Sequence, residues 1–153
     1  MQDQLYAKLC TKLKETKFST MSDLEALLAI QSELVAVRVL VPTANVVAHA
    51  SQNSYRHKLT LAANNLNHPC NGLAIDILAY IDSVKIQNVD MDLPETQGML
   101  AAMVQCGFAT SAQVASLDAL ANKQVTWCES EGLPQIDLGH IVSAREINSN
   151  GTA

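Results

Sequence analysis

Aromatic residues are scarce in this chain of 153 residues: one Trp, three Tyr and two Phe, 4% of the whole. A core cannot rest on large rings here, so it must be aliphatic and small. Each such side chain contributes modest burial, at about 25 cal/mol per Å², and association with another surface would add to it. Charge is thin as well, 16% of residues against roughly 25% in ordinary globular domains. Long apolar runs are missing. The longest uncharged stretch, Thr96 to Leu117, is broken by Gln97, Gly98, Gln105, Gly107, Thr110, Ser111 and Gln113, which excludes a spanning helix there. The glycines are isolated (Gly72, Gly98, Gly107, Gly132, Gly139 and Gly151), so no glycine-rich phosphate loop exists. Ile86 to Asn122 holds no Lys or Arg but carries Asp90, Asp92, Glu95 and Asp118. That stretch is ill suited to a phosphate backbone, whose binding depends on cations displacing counterions.

What is present is aliphatic. Hydrophobic residues make up 48% of the chain and the net charge is −5. Length and composition predict a single domain, 1–153. Within it we read an N-terminal helical hairpin (1–40), middle helices (41–92), a C-terminal module of short helices (93–146) and a tail (147–153). Lys8, Lys12, Lys14 and Lys17 crowd the first seventeen residues. They form either a solvated helix face or an arm for docking on an acidic partner. Cys10, Cys70, Cys106 and Cys128 are widely spread. No signal-peptide pattern opens the chain, and reduced, mostly buried thiols are expected.

Leu5, Leu9 and Leu13 stripe a helix over Gln2–Lys17. Ser22 and Glu25 form a capping box for a second helix with Leu24, Leu27, Leu28, Ile30 and Leu34 as its apolar face. Val35–Val41 is β-branched; it is either an edge or lone strand or a continuation of the second helix. Pro42 ends it or starts a helix through Ala50. Asn53 or Ser54 caps a helix through Asn64, and Cys70–Val84 forms the next. Pro94 opens a helix that stops at Gly107, with Phe108 folded back over its end. Thr110 or Ser111 caps Ala112–Leu120. Thr126 and Glu129 box a single turn around Trp127, stopped by Gly132, and Asp137 caps Leu138–Arg145. Ser149-Asn150-Gly151 reads as frayed. The fold class is all-α or mostly α: a bundle of short helices with at most one minor extended segment.

Several groupings test for chemistry. The helix–Gly–helix from Pro94 to Leu120 has helix-turn-helix spacing, but its second helix, SAQVASLDAL, is without a basic residue, so an ordinary helical hairpin is the better reading. His68-Pro69-Cys70 lacks the second cysteine and the His-x-Glu of zinc deaminases. No close cysteine pair supports structural zinc, which leaves only a long-range set of Cys106, Cys128 and His140. His49, His57, His68 and His140 stand at no diagnostic spacing from a cysteine nucleophile. Asp90 and Asp92 read as negative charge before a helix N-terminus. Trp127 is either a core plug or an exposed partner anchor. Hence no catalytic, cofactor-binding or metal-binding residue is assigned, no cofactor is expected, and the chain is not read as an enzyme.

The pattern Pro94–Gly107, Thr110 with Leu117 and Leu120, Thr126-Trp127-Cys128-Glu129-Ser130-Glu131-Gly132-Leu133, then Ala144-Arg145 resembles small uncharacterised proteins encoded among the virion structural genes of tailed bacteriophages. The resemblance covers roughly the last third of the chain and transfers no functional residue. It implies a non-catalytic structural or adaptor component, present in the virion after synthesis in the host cytoplasm. Its partners would be other phage structural proteins and further copies of itself, in a homo-oligomer or multi-copy assembly, with no nucleic acid and no membrane. The alternative is a small acidic phage-encoded inhibitor of a host defence system or host enzyme.

Overall fold

Capping residues set many of the helix boundaries in the computed structural model, which describes residues 2–151. The order is α1 (Gln2–Leu13), α2 (Asp23–Ser32), β1 (Leu34–Arg38), β2 (Val41–Pro42), α3 (Thr43–Gln52), α4 (Tyr55–Ala63), α5 (Asn71–Ile81), β3 (Asn88–Val89), α6 (Pro94–Gln105), α7 (Ser111–Asp118), β4 (Asn122–Thr126), α8 (Trp127–Ser130) and α9 (Leu138–Asn150). The chain is mostly α. Reciprocal capping boxes open α2 at Ser22, α7 at Thr110, α8 at Thr126 and α9 at Asp137. Each satisfies two backbone donors that the helix start leaves without partners.

The two glycine stops are Schellman motifs. Gly107 has φ +74°, and Phe108 N–H donates to the Met103 carbonyl at 2.9 Å. Gly132 has φ +66°, and Leu133 N–H donates to the Cys128 carbonyl at 2.8 Å. A residue with a Cβ would be strained at either site.

Among the described residues the contacts divide the chain into two compact units: 2–37 with 124–151, and Arg38–Lys123. Each has its own core. In the first unit Leu5, Leu9, Leu13, Phe18, Leu27, Ile30, Trp127, Ile136 and Ile141 are buried together. In the second Val41, Val46, Tyr55, Leu59, Ile77, Ile81, Met91, Leu100, Met103 and Leu117 are buried together. The stretch 93–146 is shared between them: α6 and α7 belong to one core, α8 and α9 to the other.

Both extended pairs have physical reasons. β2 pairs antiparallel with β3, Val41 opposite Val89 and Pro42 opposite Asn88. Proline is tolerated in so short a strand because its missing N–H faces no ladder partner. Thr43 extends the pairing, its N–H donating to Gln87 and its hydroxyl to Ile86. Val35–Val41 is extended rather than helical, and β1 pairs with β4. Asn122–Thr126 gives little sign of this in sequence, having only Val125 and Thr126 as β formers.

Some boundaries move. α1 ends at Leu13 rather than Lys17, because Lys14 and Glu15 bond back to Thr11 and Lys12 in a tightened turn, and a short 3₁₀ turn, Thr16–Phe18, follows. α1 and α2 do not close as a simple hairpin; α9 packs against both. Leu24 and Leu28 are each 56% exposed, so the inward face of α2 is Ala26, Leu27 and Ile30. α9 runs on to Asn150 instead of fraying after Arg145, with Asn148 Nδ2 donating to the Cys10 carbonyl at 3.0 Å. The expectation of reduced thiols fails at two positions: Cys70 and Cys106 form a disulfide. The fold brings the start of α5 to the end of α6, a proximity that 36 residues of separation do not announce.

Candidate functional site

Three polar constellations emerge, and each is closed by its own partners. The first gathers the N-terminal lysines. Lys8 Nζ reaches the Glu131 carbonyl at 2.8 Å and its carboxylate at 2.9 Å. Lys12, although charged, is only 8% exposed. Its ammonium sits 2.7 Å from Glu33 Oε1 and 3.0 Å from Glu15 Oε1, and 5.6 Å from the centroid of the Trp127 ring. Lys17 takes the other oxygen of each carboxylate. The Lys12 hydrogen bond, with help from Lys17, holds the Glu33 carboxyl below its usual range. Lys14 has no such partner among the described residues. A docking arm would need these ammonium groups free; the fold spends Lys8, Lys12 and Lys17 internally.

The second constellation surrounds Arg38, which the sequence reading passed over. Its guanidinium makes a bidentate pair with Asp92 and a second pair with Asp118, at 2.8 and 2.9 Å, and donates to Asn122 Oδ1 at 2.8 Å. Arg38 holds Asp118 below the usual carboxylate range. Asp92 is thereby committed to an ion pair, and Asp90 accepts from the Asp92 N–H at 2.9 Å. The two carboxylates therefore do separate structural tasks, and a shared acid–base role does not arise.

The third is the nearest approach to a catalytic arrangement. His49, on α3, is 9% exposed. Its Nδ1 lies 2.7 Å from the Tyr55 hydroxyl and its Nε2 lies 3.2 Å from Ser116 Oγ. Ser116 is exposed on α7. Hydroxyl, imidazole and orienting group are thus in the order that nucleophilic catalysis uses. Burial pushes Tyr55 up to about 12, so the partner of the ring on the side away from Ser116 is a neutral hydroxyl rather than the carboxylate that would stabilise an imidazolium. Burial also lowers His49 itself, which keeps the ring neutral. The trio bolts α3, α4 and α7 together. The sequence offered no sign of it, since His49 and Ser116 are 67 residues apart.

The remaining candidates disperse. Cys106 is taken by its disulfide, which dissolves the long-range zinc set with Cys128 and His140. Among the described residues no cluster of three or more His, Cys, Asp or Glu side chains could hold a metal ion. Cys70 is likewise bonded, and His68 Nδ1 accepts the Cys70 N–H at 3.0 Å. His140 completes the capping box of α9, and His57 is exposed on α4. Cys128 is buried, and that burial pushes its thiol up, away from the reactive thiolate. Trp127, 7% exposed, is a core plug. A cavity of ≈ 40 Å³ lies among Val46, Tyr55, Leu59, Ile77, Leu100 and Met103. It is apolar and far below the size of a cofactor site. Among the described residues no helix is long and apolar enough to cross a membrane. Comparison with protein-family models, with curated proteins and with solved structures returns no match.

Proposed function

We propose that this chain is a non-catalytic structural or adaptor component of a tailed-phage particle or of its assembly, working through helix-face contacts. One observation carries the reading: the polar side chains best placed for chemistry are satisfied within the chain, whereas large aliphatic side chains stand in solvent. Leu24 and Leu28 share a face of α2 at 56% exposure each, and Leu61, Leu66 and Val84 are exposed by 58%, 89% and 93%. Single exposed leucines are ordinary on any surface. A helix face that spends two of them one turn apart has apolar area to bury against a neighbour. The resemblance of the last third to proteins of virion gene clusters supplies the particle as the setting.

Quantitative mass spectrometry of purified particles tests the proposal. The expected result is the chain present in several copies per particle, retained through density-gradient purification. Its absence from particles, with abundance in infected-cell lysate, would overturn the proposal and favour the inhibitor reading.

A further inference from the structure

We propose that Cys70–Cys106 is a redox-active pair that exchanges with a dithiol, with Cys70 as its reactive thiol. The two sulfurs occupy opposite electrostatic positions. Cys70 is the N-cap residue of α5, an eleven-residue helix, and makes no side-chain cap hydrogen bond in the disulfide form. Asn71 N–H is taken by the His68 carbonyl and Ala74 N–H by that of Cys70, and the Cys70 backbone, φ −106° and ψ 26°, is not in the extended geometry of a side-chain cap. A Cys70 thiolate would still lie at the positive end of the helix. Cys106 is the C-cap residue of α6, at the negative end, where a thiolate is disfavoured. Both residues are half-buried rather than sealed.

This asymmetry fixes the direction of exchange, because the better leaving group is the better stabilised thiolate. The thiolate of an incoming dithiol attacks Cys106 Sγ. A new S–S bond forms there, the Cys70–Cys106 bond breaks, and its electron pair leaves on Cys70 Sγ. The second thiol of the dithiol, deprotonated, then attacks its own sulfur in the mixed disulfide. Cys106 is released as a thiolate and takes up a proton. The dithiol departs as a disulfide, and the protein has gained two electrons. Re-oxidation reverses the sequence: the Cys106 thiolate attacks the disulfide of the oxidised dithiol, and the Cys70 thiolate then attacks Cys106 Sγ and expels the dithiol. Two residues before Cys70 and two after Cys106, the His68 and Phe108 rings stack with centroids 5.7 Å apart, a second, noncovalent contact beside the disulfide.

The test uses the full chain. Purified without reductant, it should give a Cys70–Cys106 cross-linked peptide. After reduction with a phosphine and its removal, iodoacetamide labelling is followed by peptide mass spectrometry from pH 5 to 9. Each unit of difference in thiol pKa is tenfold in thiolate at low pH. Cys70 should therefore label about tenfold faster than Cys106 near pH 7, converging near pH 9, and the difference should vanish in denaturant. The inference stands if Cys70 leads by more than about threefold in the folded chain. A smaller lead, a lead by Cys106, or free thiols at both positions in the chain as purified overturns it.

Discussion

Around Trp127 an ammonium group is held in the core by carboxylates; around Leu59 the fastening is covalent and neutral. The first unit buries Lys12 against Glu33, Glu15 and an indole face, and its cysteines, Cys10 and Cys128, stay free. The second unit carries the disulfide and the His49–Tyr55–Ser116 trio, and its ion pairs at Arg38 and Arg56 lie at the surface. Both units face the same shortage of large apolar side chains. The difference teaches that small aliphatic cores can be supplemented in two ways, and that the two respond to different reagents. Charge reversal at Lys12 or Glu33 addresses the first unit; reductant addresses the second.

Opening the disulfide has the largest expected effect. The loop it closes is 36 residues long, which corresponds to about 4 kcal/mol of lost stability on the chain-entropy account. Amides of α5 and α6 should lose hydrogen-exchange protection in reductant or in Cys70→Ser, while those of α1 and α9 keep theirs. Equal loss in both units would erase the contrast.

Leu9→Ala should act on the other side. Leu9 is fully buried against Leu5, Ile30 and Ile141, and its truncation should cost about 3 kcal/mol through lost burial and a cavity. Denaturant unfolding followed by Trp127 fluorescence should register this change strongly.

Lys12→Ala comes next. A fully buried pair broken from one side costs about 3–5 kcal/mol. Glu33 retains Lys17 and some water, so we expect about 2 kcal/mol here. Lys12→Met keeps an unbranched apolar stem at this buried position and should recover a large share of that loss. If Met is as damaging as Ala, the ammonium rather than its stem carries the stabilisation.

The smallest effect is one of pH. Burial lowers His49 from its ordinary 6.5, so below that value the unfolded chain binds a proton that the folded chain refuses. Stability of the second unit should therefore be level above about pH 7 and decline as pH falls through the unfolded value toward the folded one. His49→Gln should flatten that decline. A stability curve for the variant that runs parallel to the parent would remove His49 from the account.

Helix starts with a capping box and stops with a left-handed glycine were legible to within a residue or two, whereas α1, α5 and α9 end at Leu13, Ile81 and Asn150 rather than at Lys17, Val84 and Arg145. Ser22, Thr110, Thr126 and Asp137 cap what their spacing promised, and Gly107 and Gly132 take the left-handed stop. The groups bearing on a candidate site were not legible. Arg38 looked like one charge inside a β-branched run, and His49, Tyr55 and Ser116 share no short motif. Leu24 and Leu28 fit a helical stripe as well as Leu27 did, yet they face solvent. Periodicity gives the width of an apolar face but not how much of it a neighbour covers.

By itself, then, the order of residues determined the mostly helical class, the capped helix starts and glycine stops, and the poverty of charge and ring. Those properties depend on backbone groups a few residues apart, so a short window contains their causes. Tertiary structure alone decided that Asn122–Thr126 would meet Leu34–Arg38, that Cys70 would find Cys106, and that Lys8, Lys12 and Lys17 would pair with Glu15, Glu33 and Glu131. Each of these joins groups brought together by packing, and packing energy is summed over the whole core rather than written at any one position.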